Sequence, residues 1–256
     1  MQVRAKKALG QHFLVDEDIA YRIVEALHCE GSVLEVGPGM GVLTKYLIKH
    51  PELSLKVVEL DGESVEYLLA HYPVLAPNLL EADFLKLDLA RVFAGDFCVI
   101  GNFPYNISSQ IFFKILDYRE RVPQVVGMLQ REVAQRLAAG PGSKTYGILS
   151  VLLQAWYDIE YLFTVPAGVF SPPPKVQSAV IRLVRNGRSE LGCDEQLFKQ
   201  VVKTSFNQRR KTLRNSLKGL IAERGKSGAA EAEPVMALRP EQLSVEDFVA
   251  LTKMLQ

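Results

Sequence analysis

Short apolar runs and stretches of helical period alternate along the first two thirds of the chain. After Asp18, the positions Ile19, Ile23 and Leu27, with Ala20 and Val24, fall on one helical face. Residues 32–36 then read as a buried strand, 37–41 as a glycine-rich turn, and 42–49 as a helix. Further strands are predicted at 55–60, 79–82, 97–100, 124–129, 159–164 and 177–184. Helices are predicted at 63–71, 107–118, 132–138 and 147–156. Seven strands alternating mostly with helices predict a largely parallel, doubly wound, Rossmann-like α/β sheet. The last two strands lack a convincing helix between them and predict an antiparallel pair at one edge. Beyond 186–188 the pattern changes: only helices are expected, at 194–206, 211–223 and 245–255, with a small, polar loop at 225–234. The predicted division is a sheet domain, 1–186, and a helical domain, 187–256.

Composition narrows the setting. The 256 residues are 48% hydrophobic, enough to bury a core. A net charge of +1 conceals seven Lys/Arg between Lys199 and Lys218, in a stretch, 196–222, that contains no acid. The cysteines Cys29, Cys98 and Cys193 are scattered, with no metal-ligand spacing, which predicts three reduced thiols and no metal site. Arg4, Lys6 and Lys7 lead into mixed polar sequence rather than an apolar leader, and no run approaches the ~20 apolar residues of a membrane span. A soluble, cytoplasmic protein without membrane attachment is expected. No long apolar surface calls for a subunit partner, so a monomer is expected.

The candidate chemistry lies at the strand ends. A strand followed by Gly37-Pro38-Gly39-Met40-Gly41 brings backbone close to a ligand. Glu59 ends the next strand, about twenty positions on, and can take both hydroxyls of a ribose. This pair points to an adenosine-containing cofactor without choosing among NAD, FAD and S-adenosylmethionine. Pro38 and the early third glycine depart from the dinucleotide spacing that cradles a pyrophosphate. Asp83 ends the third strand, where a carboxylate can accept from an adenine amine, and S-adenosylmethionine becomes the favoured cofactor. The central strand runs into Asn102-Phe103-Pro104-Tyr105. The Asn102 oxygen and a carbonyl of Phe103 or Pro104 can accept from the two N–H groups of an exocyclic amine, and Tyr105 can stack on its ring.

These stretches carry a resemblance. Asn-Phe-Pro-Tyr is similar to the Asn-x-Pro-Tyr motif of amino-methyltransferases. With Gly10-Gln11-His12-Phe13-Leu14, Glu35-Val36-Gly37-Pro38-Gly39 and Glu59-Leu60-Asp61, the chain resembles the rRNA adenine N6-dimethyltransferases. Residues 165–180, including Phe170-Ser171-Pro172-Pro173-Pro174-Lys175, and residues 206–214 resemble the KsgA/RsmA branch. That branch dimethylates two adjacent adenosines in a hairpin near the 3′ end of small-subunit (16S) rRNA. The resemblance runs nearly end to end. It implies that His12 and Leu14 close over the cofactor, Gly37 lies under its methionine part beside Gly39, Glu59 binds the ribose and Asp83 the adenine. It further implies that Asn102 touches both the cofactor and the target base, that Pro104 and Tyr105 hold that base, and that Phe170 is an opposing ring. His12 stands where the family often has Asn.

Arg209, Arg210, Lys211, Arg214 and Lys218 are the predicted phosphate contacts to the rRNA of an immature small subunit. Two rival readings share many of these features: a large-subunit (23S) rRNA methyltransferase of the macrolide-resistance type, and an assembly factor acting mainly by binding.

Overall fold

The computed structural model describes residues 3–6, 9–228 and 233–256. They divide into two compact units, one of 1–134 with 158–185 and another of 135–157 with 186–256. The second unit therefore takes in the stretch 135–157, which the sequence pattern groups with the sheet.

The first unit holds the strands β1 (Phe13–Leu14), β2 (Gly31–Val36), β3 (Leu53–Glu59), β4 (Leu79–Glu81), β5 (Cys98–Asn102), β6 (Gln124–Gln130), β7 (Tyr157–Val165), β8 (Phe170–Ser171) and β9 (Ser178–Arg185). Seven of them form one sheet in the order β4-β3-β2-β5-β6-β9-β7. The pairs β4–β3, β3–β2, β2–β5 and β5–β6 are parallel, and β9 runs antiparallel to β6. The expected break in parallel order thus falls on β9, which inserts between β6 and the edge strand β7. Strand order reverses between β2 and β5, and such a switch point opens a crevice at the carboxyl ends of the strands.

The central strands are continuous apolar runs because both faces are covered. Val33, Leu34, Val99, Ile100, Val125 and Val126 are wholly buried. Helix α1 (Glu17–Glu25) is started by the Asp16 side chain, which accepts from the Ile19 N–H, and turns Ile19, Ala20, Ile23 and Val24 inward. The expected helix at 42–49 is only one turn, α2 (Thr44–Leu47), because the glycine-rich turns extend through 39–43. Helices α3 (Gly62–His71), α4 (Leu89–Val92) and α5 (Ser108–Asp117) follow.

Two features are not foreseen from the sequence. The two-residue strands β1 and β8 pair antiparallel, Phe13 with Ser171 and Leu14 with Phe170. Strands so short carry no readable period. Val15 N–H extends the pairing to the Val169 carbonyl at 2.9 Å. The proline-rich loop that follows begins with a cis Ser171–Pro172 peptide. The second feature corrects the expectation of three reduced thiols. Cys29 and Cys98 are joined in a disulfide across 69 residues, and Cys193 alone is free. The strand register that sets Cys98 beside Val33 brings together two cysteines that sequence spacing keeps apart.

α6 (Arg131–Ala138) leads out of the sheet. The second unit is helical: α7 (Ile148–Gln154), α8 (Glu195–Asn207), α9 (Leu213–Ser216), α10 (Lys218–Glu223) and α11 (Val245–Leu255). Asp194 caps α8 through the Leu197 N–H, and Ser244 with Asp247 forms a capping box on α11. Tyr146 meets Phe206 edge-on and Phe206 lies tilted against Phe248, with ring centroids about 6 Å apart. The expected helix at 211–223 is two short helices, α9 and α10.

Candidate active site

The crevice is built from strand ends and two turns. Its lining includes His12, Leu14, Gly37, Gly39, Glu59, Asp83, Asn102, Pro104 and Tyr105, so nine of the expected site residues meet in one cleft. Phe170 does not. It is 3% exposed and packs in the main apolar core with Val165 and Leu14, because its pairing with Leu14 turns the ring inward. The opposing ring expected from Phe170 is therefore not presented to the cleft.

Gly37 and Gly39 have φ of +68° and +56°, a region that disfavours side chains. A Cβ on Gly37 would stand 3.8 Å from Pro104, and one on Gly39 would meet the Phe13 ring at 2.9 Å. The turn thus keeps open the floor between β2 and the Asn102–Tyr105 segment. Glu59 is buried at the tip of β3. One carboxylate oxygen accepts from Leu60 N–H at 2.8 Å and Asp61 N–H at 2.9 Å, and the other from Gly39 N–H at 3.1 Å. Burial pushes its pKa up, against the pull of these three donors. Asp83 accepts from Leu85 N–H at 2.9 Å at the end of β4.

Glu35, read from sequence only as part of the first strand motif, also lines the cleft. Thr44 Oγ1 donates to its Oε2 at 2.6 Å, while its Oε1 is buried and unpartnered. Burial pushes its pKa up to about 8; the Thr44 hydroxyl opposes this and the charge on Glu59 adds to it. Among the described residues that line the cleft there are three carboxyl groups, Glu35, Glu59 and Asp83, and no Lys or Arg.

The Asn102–Tyr105 segment is anchored by the residue between its polar members. Phe103 is wholly buried, and its ring lies over two glycines on neighbouring strands. A Cβ on Gly127 would overlap that ring, and one on Gly101 would come within 2.9 Å of it. Phe103 N–H donates to the Met128 carbonyl at 2.9 Å. The Pro104 carbonyl accepts from Ile107 N–H at 3.2 Å, whereas the Phe103 carbonyl has no hydrogen-bond partner among the described residues. Of the two carbonyls considered from sequence, Phe103 is therefore the one left available. The Asn102 Nδ2 donates to the His12 carbonyl at 2.9 Å. A carbonyl can only accept, so the amide is fixed with its Oδ1 free. Tyr105 hydroxyl and Ser178 Oγ are 2.5 Å apart, and burial pushes the phenol pKa up. The His12 ring stacks on Tyr105 with centroids 5.3 Å apart, and its Nδ1 lies 2.9 Å from the Pro172 carbonyl.

The five expected phosphate contacts lie in the helical unit. Arg209, Arg210 and Lys211 occupy the turn after α8, not a helix; Arg214 is on α9 and Lys218 opens α10. Arg210, Lys211, Arg214 and Lys218 are exposed. Arg209 is half-buried, and its guanidinium donates to the Ser143 carbonyl at 3.2 Å.

A switch-point cleft rich in carboxyl groups, beside an Asn-x-Pro-Tyr turn, on a seven-stranded sheet with one antiparallel strand, defines a Rossmann-like class I methyltransferase. The family model for ribosomal RNA adenine dimethylase matches residues 2–256. The ribosomal RNA small subunit methyltransferase A of Parabacteroides distasonis is 65% identical, covering 98% of this chain and 93% of its own. That of Porphyromonas gingivalis is 59% identical over 100% of this chain and 99% of its own. Among solved structures, a dimethyladenosine transferase from Plasmodium falciparum shares the fold, with a TM-score of 0.80 at 23% identity over 94% of this chain and 96% of that one. The 23S rRNA methyltransferase ErmE has a TM-score of 0.68 at 25% identity over 94% and 99%. The chain belongs to the ribosomal RNA adenine dimethylase family.

Proposed function

We propose that this protein transfers methyl groups from S-adenosylmethionine to N6 of two adjacent adenosines in the 3′-terminal hairpin of 16S rRNA, acting in the cytoplasm on immature small subunits. The single observation that carries the reading is the fixed Asn102 amide, its oxygen free in the cleft beside the unpartnered Phe103 carbonyl.

The cleft suits the cofactor chemically. S-adenosylmethionine carries a sulfonium and an ammonium, and supplies an electrophilic methyl group when bound. Glu59 and Asp83, with no lining Lys or Arg, favour such cations and disfavour a pyrophosphate. Glu59 is the acceptor for ribose hydroxyls, already held rigid by its three N–H donors, and Asp83 is the acceptor for the adenine amine. Gly37 leaves room for the methionine portion.

An exocyclic amine is a weak nucleophile because its lone pair is delocalised into the ring. Asn102 Oδ1 and the Phe103 carbonyl accept from its two N–H groups and favour a pyramidal nitrogen with its lone pair aimed outward. The Tyr105 ring stacks on the base and is braced through Ser178. Positioning supplies most of the rate, since the methylated amine sheds its proton to water unaided. Arg210, Lys211, Arg214 and Lys218 supply phosphate contacts. The small-subunit reading rests on the 65% and 59% identical relatives; the 23S enzyme is the more distant likeness.

Labelled-methyl transfer to undermethylated small subunits, with 23S rRNA as the comparison, tests the substrate. We expect dimethyladenosine at two adjacent positions in 16S rRNA and none in 23S; the reverse pattern refutes the assignment. Asn102→Ala should retain S-adenosylhomocysteine affinity within about threefold while losing at least about a hundredfold in turnover. Undiminished turnover would remove Asn102 from the chemistry.

A further inference from the structure

We infer that Asp61 is a positioning residue for methyl transfer: it fastens the N-terminal arm so that the His12 carbonyl sets the orientation of the Asn102 amide. This rests on the reading of Asn102 as acceptor for the target amine.

Asp61 stands at the N-cap of α3, where an aspartate ordinarily accepts from the backbone of the first helical turn. Here its side chain makes no such cap bond. It is 3% exposed and turned instead toward the arm. Lys6 Nζ donates to one oxygen at 2.5 Å; Gln11 Nε2 at 3.3 Å and Ser64 Oγ at 3.0 Å donate to the other. Burial alone would raise the Asp61 pKa, but these donors outweigh it and hold the carboxyl below its ordinary value. Lys6 is shared with Glu63 at 3.0 Å.

The arm residues are tied to one another as well. Lys6 N–H donates to Gln11 Oε1 at 2.8 Å, and the Lys6 carbonyl accepts from Leu9 and Gln11 N–H. The next residue after Gln11 is His12, whose carbonyl takes Asn102 Nδ2, and then β1 pairs with β8. The clasp and the β1–β8 pairing therefore hold His12 from its two sides. An amide rotated by half a turn presents NH2 where the reaction needs an acceptor, so a loosened His12 carbonyl withdraws the catalytic oxygen part of the time. The Asp61 backbone N–H, which helps hold Glu59, survives any side-chain change. Loss of the clasp should therefore fall on turnover more than on the cofactor.

The test compares Asp61→Ala, Lys6→Met and Lys6→Arg with the wild-type chain. Two readouts are used: steady-state methylation of undermethylated small subunits, and hydrogen exchange of the Val15 amide in the free protein. Asp61→Ala and Lys6→Met should each lower kcat about tenfold with KM for S-adenosylmethionine changed less than about threefold, and Lys6→Arg should restore wild-type turnover. Val15 N–H, bonded to the Val169 carbonyl, should exchange about tenfold faster in the first two variants. Lys6 is 40% exposed in its side chain, and a thermal melt of each variant, compared with Lys6→Arg, separates loss of fold from loss of turnover. If Lys6→Met matches wild type in both kcat and exchange, the inference is overturned and Asp61 serves only the start of α3. A wild-type chain that fails to methylate small subunits refutes the substrate reading instead, while the exchange arm still reports on the clasp.

Discussion

Glu35 shows how a single buried group can tie stability to pH. Its carboxyl is pushed up to about 8 in the folded protein, far above an unfolded glutamate. Between the unfolded and the folded pKa the native state holds a proton that the unfolded state has released. The contribution of Glu35 to stability is therefore least unfavourable at low pH and becomes more unfavourable as pH rises through this window. Glu35→Gln removes the cost of keeping that proton. The melting temperature of the ligand-free variant should exceed wild type at pH 8, and the difference should shrink toward pH 5. A difference independent of pH would mean that Glu35 is ionised in the fold. The signal in sequence is faint: Glu35 reads as one polar residue in an apolar strand, and only its unpartnered Oε1 inside the cleft distinguishes it.

At the level of elements, the turn after β5 holds its shape because Phe103 is seated over Gly101 and Gly127. Gly127→Ala places a methyl group against a ring that is wholly buried and cannot retreat. We expect a loss of about 1–3 kcal/mol in a denaturant melt, with reduced turnover from displacement of Asn102. Gly140→Ala, which meets nothing within 4 Å, is the control and should change stability by less than about 0.5 kcal/mol. That Asn102, Pro104 and Tyr105 share the cleft is legible because a strand, a polar amide, a proline and a ring follow in order. The seat of Phe103 is not, since Gly127 lies on the next strand. The same limit hides the inward turn of Phe170: a ring beside prolines looks exposed until β1 pairs with it.

For the whole molecule, the proposed contact with RNA is a matter of charge. Removing an exposed cation such as Arg210 or Lys218 should weaken RNA binding. It should also flatten the dependence of log affinity on log salt by about 0.7–0.9 for each phosphate left without its cation. Arg209→Ala should act first on stability, because its guanidinium is spent on the Ser143 carbonyl within the helical unit. Filter binding across a salt series, with thermal melts alongside, separates the two. An Arg209 variant that melts like wild type, yet shows a salt slope flatter by one phosphate, would return that residue to the RNA surface. The basic stretch itself is plain in the sequence, as a run free of acids.

The sequence by itself determined the alternation of strands and helices, the glycine turn, the acids at the ends of β3 and β4, and the order Asn102-Phe103-Pro104-Tyr105. Each depends on residues near one another along the chain, where periodicity and turn chemistry act. Only the tertiary structure decided that Cys29 meets Cys98, that Phe170 faces the core, that Arg209 is tied down, and that Asp61 reaches back to Lys6 and Gln11. Those outcomes depend on which strands become neighbours and which side chains share one crevice, and contacts between residues distant in sequence leave no local period to read.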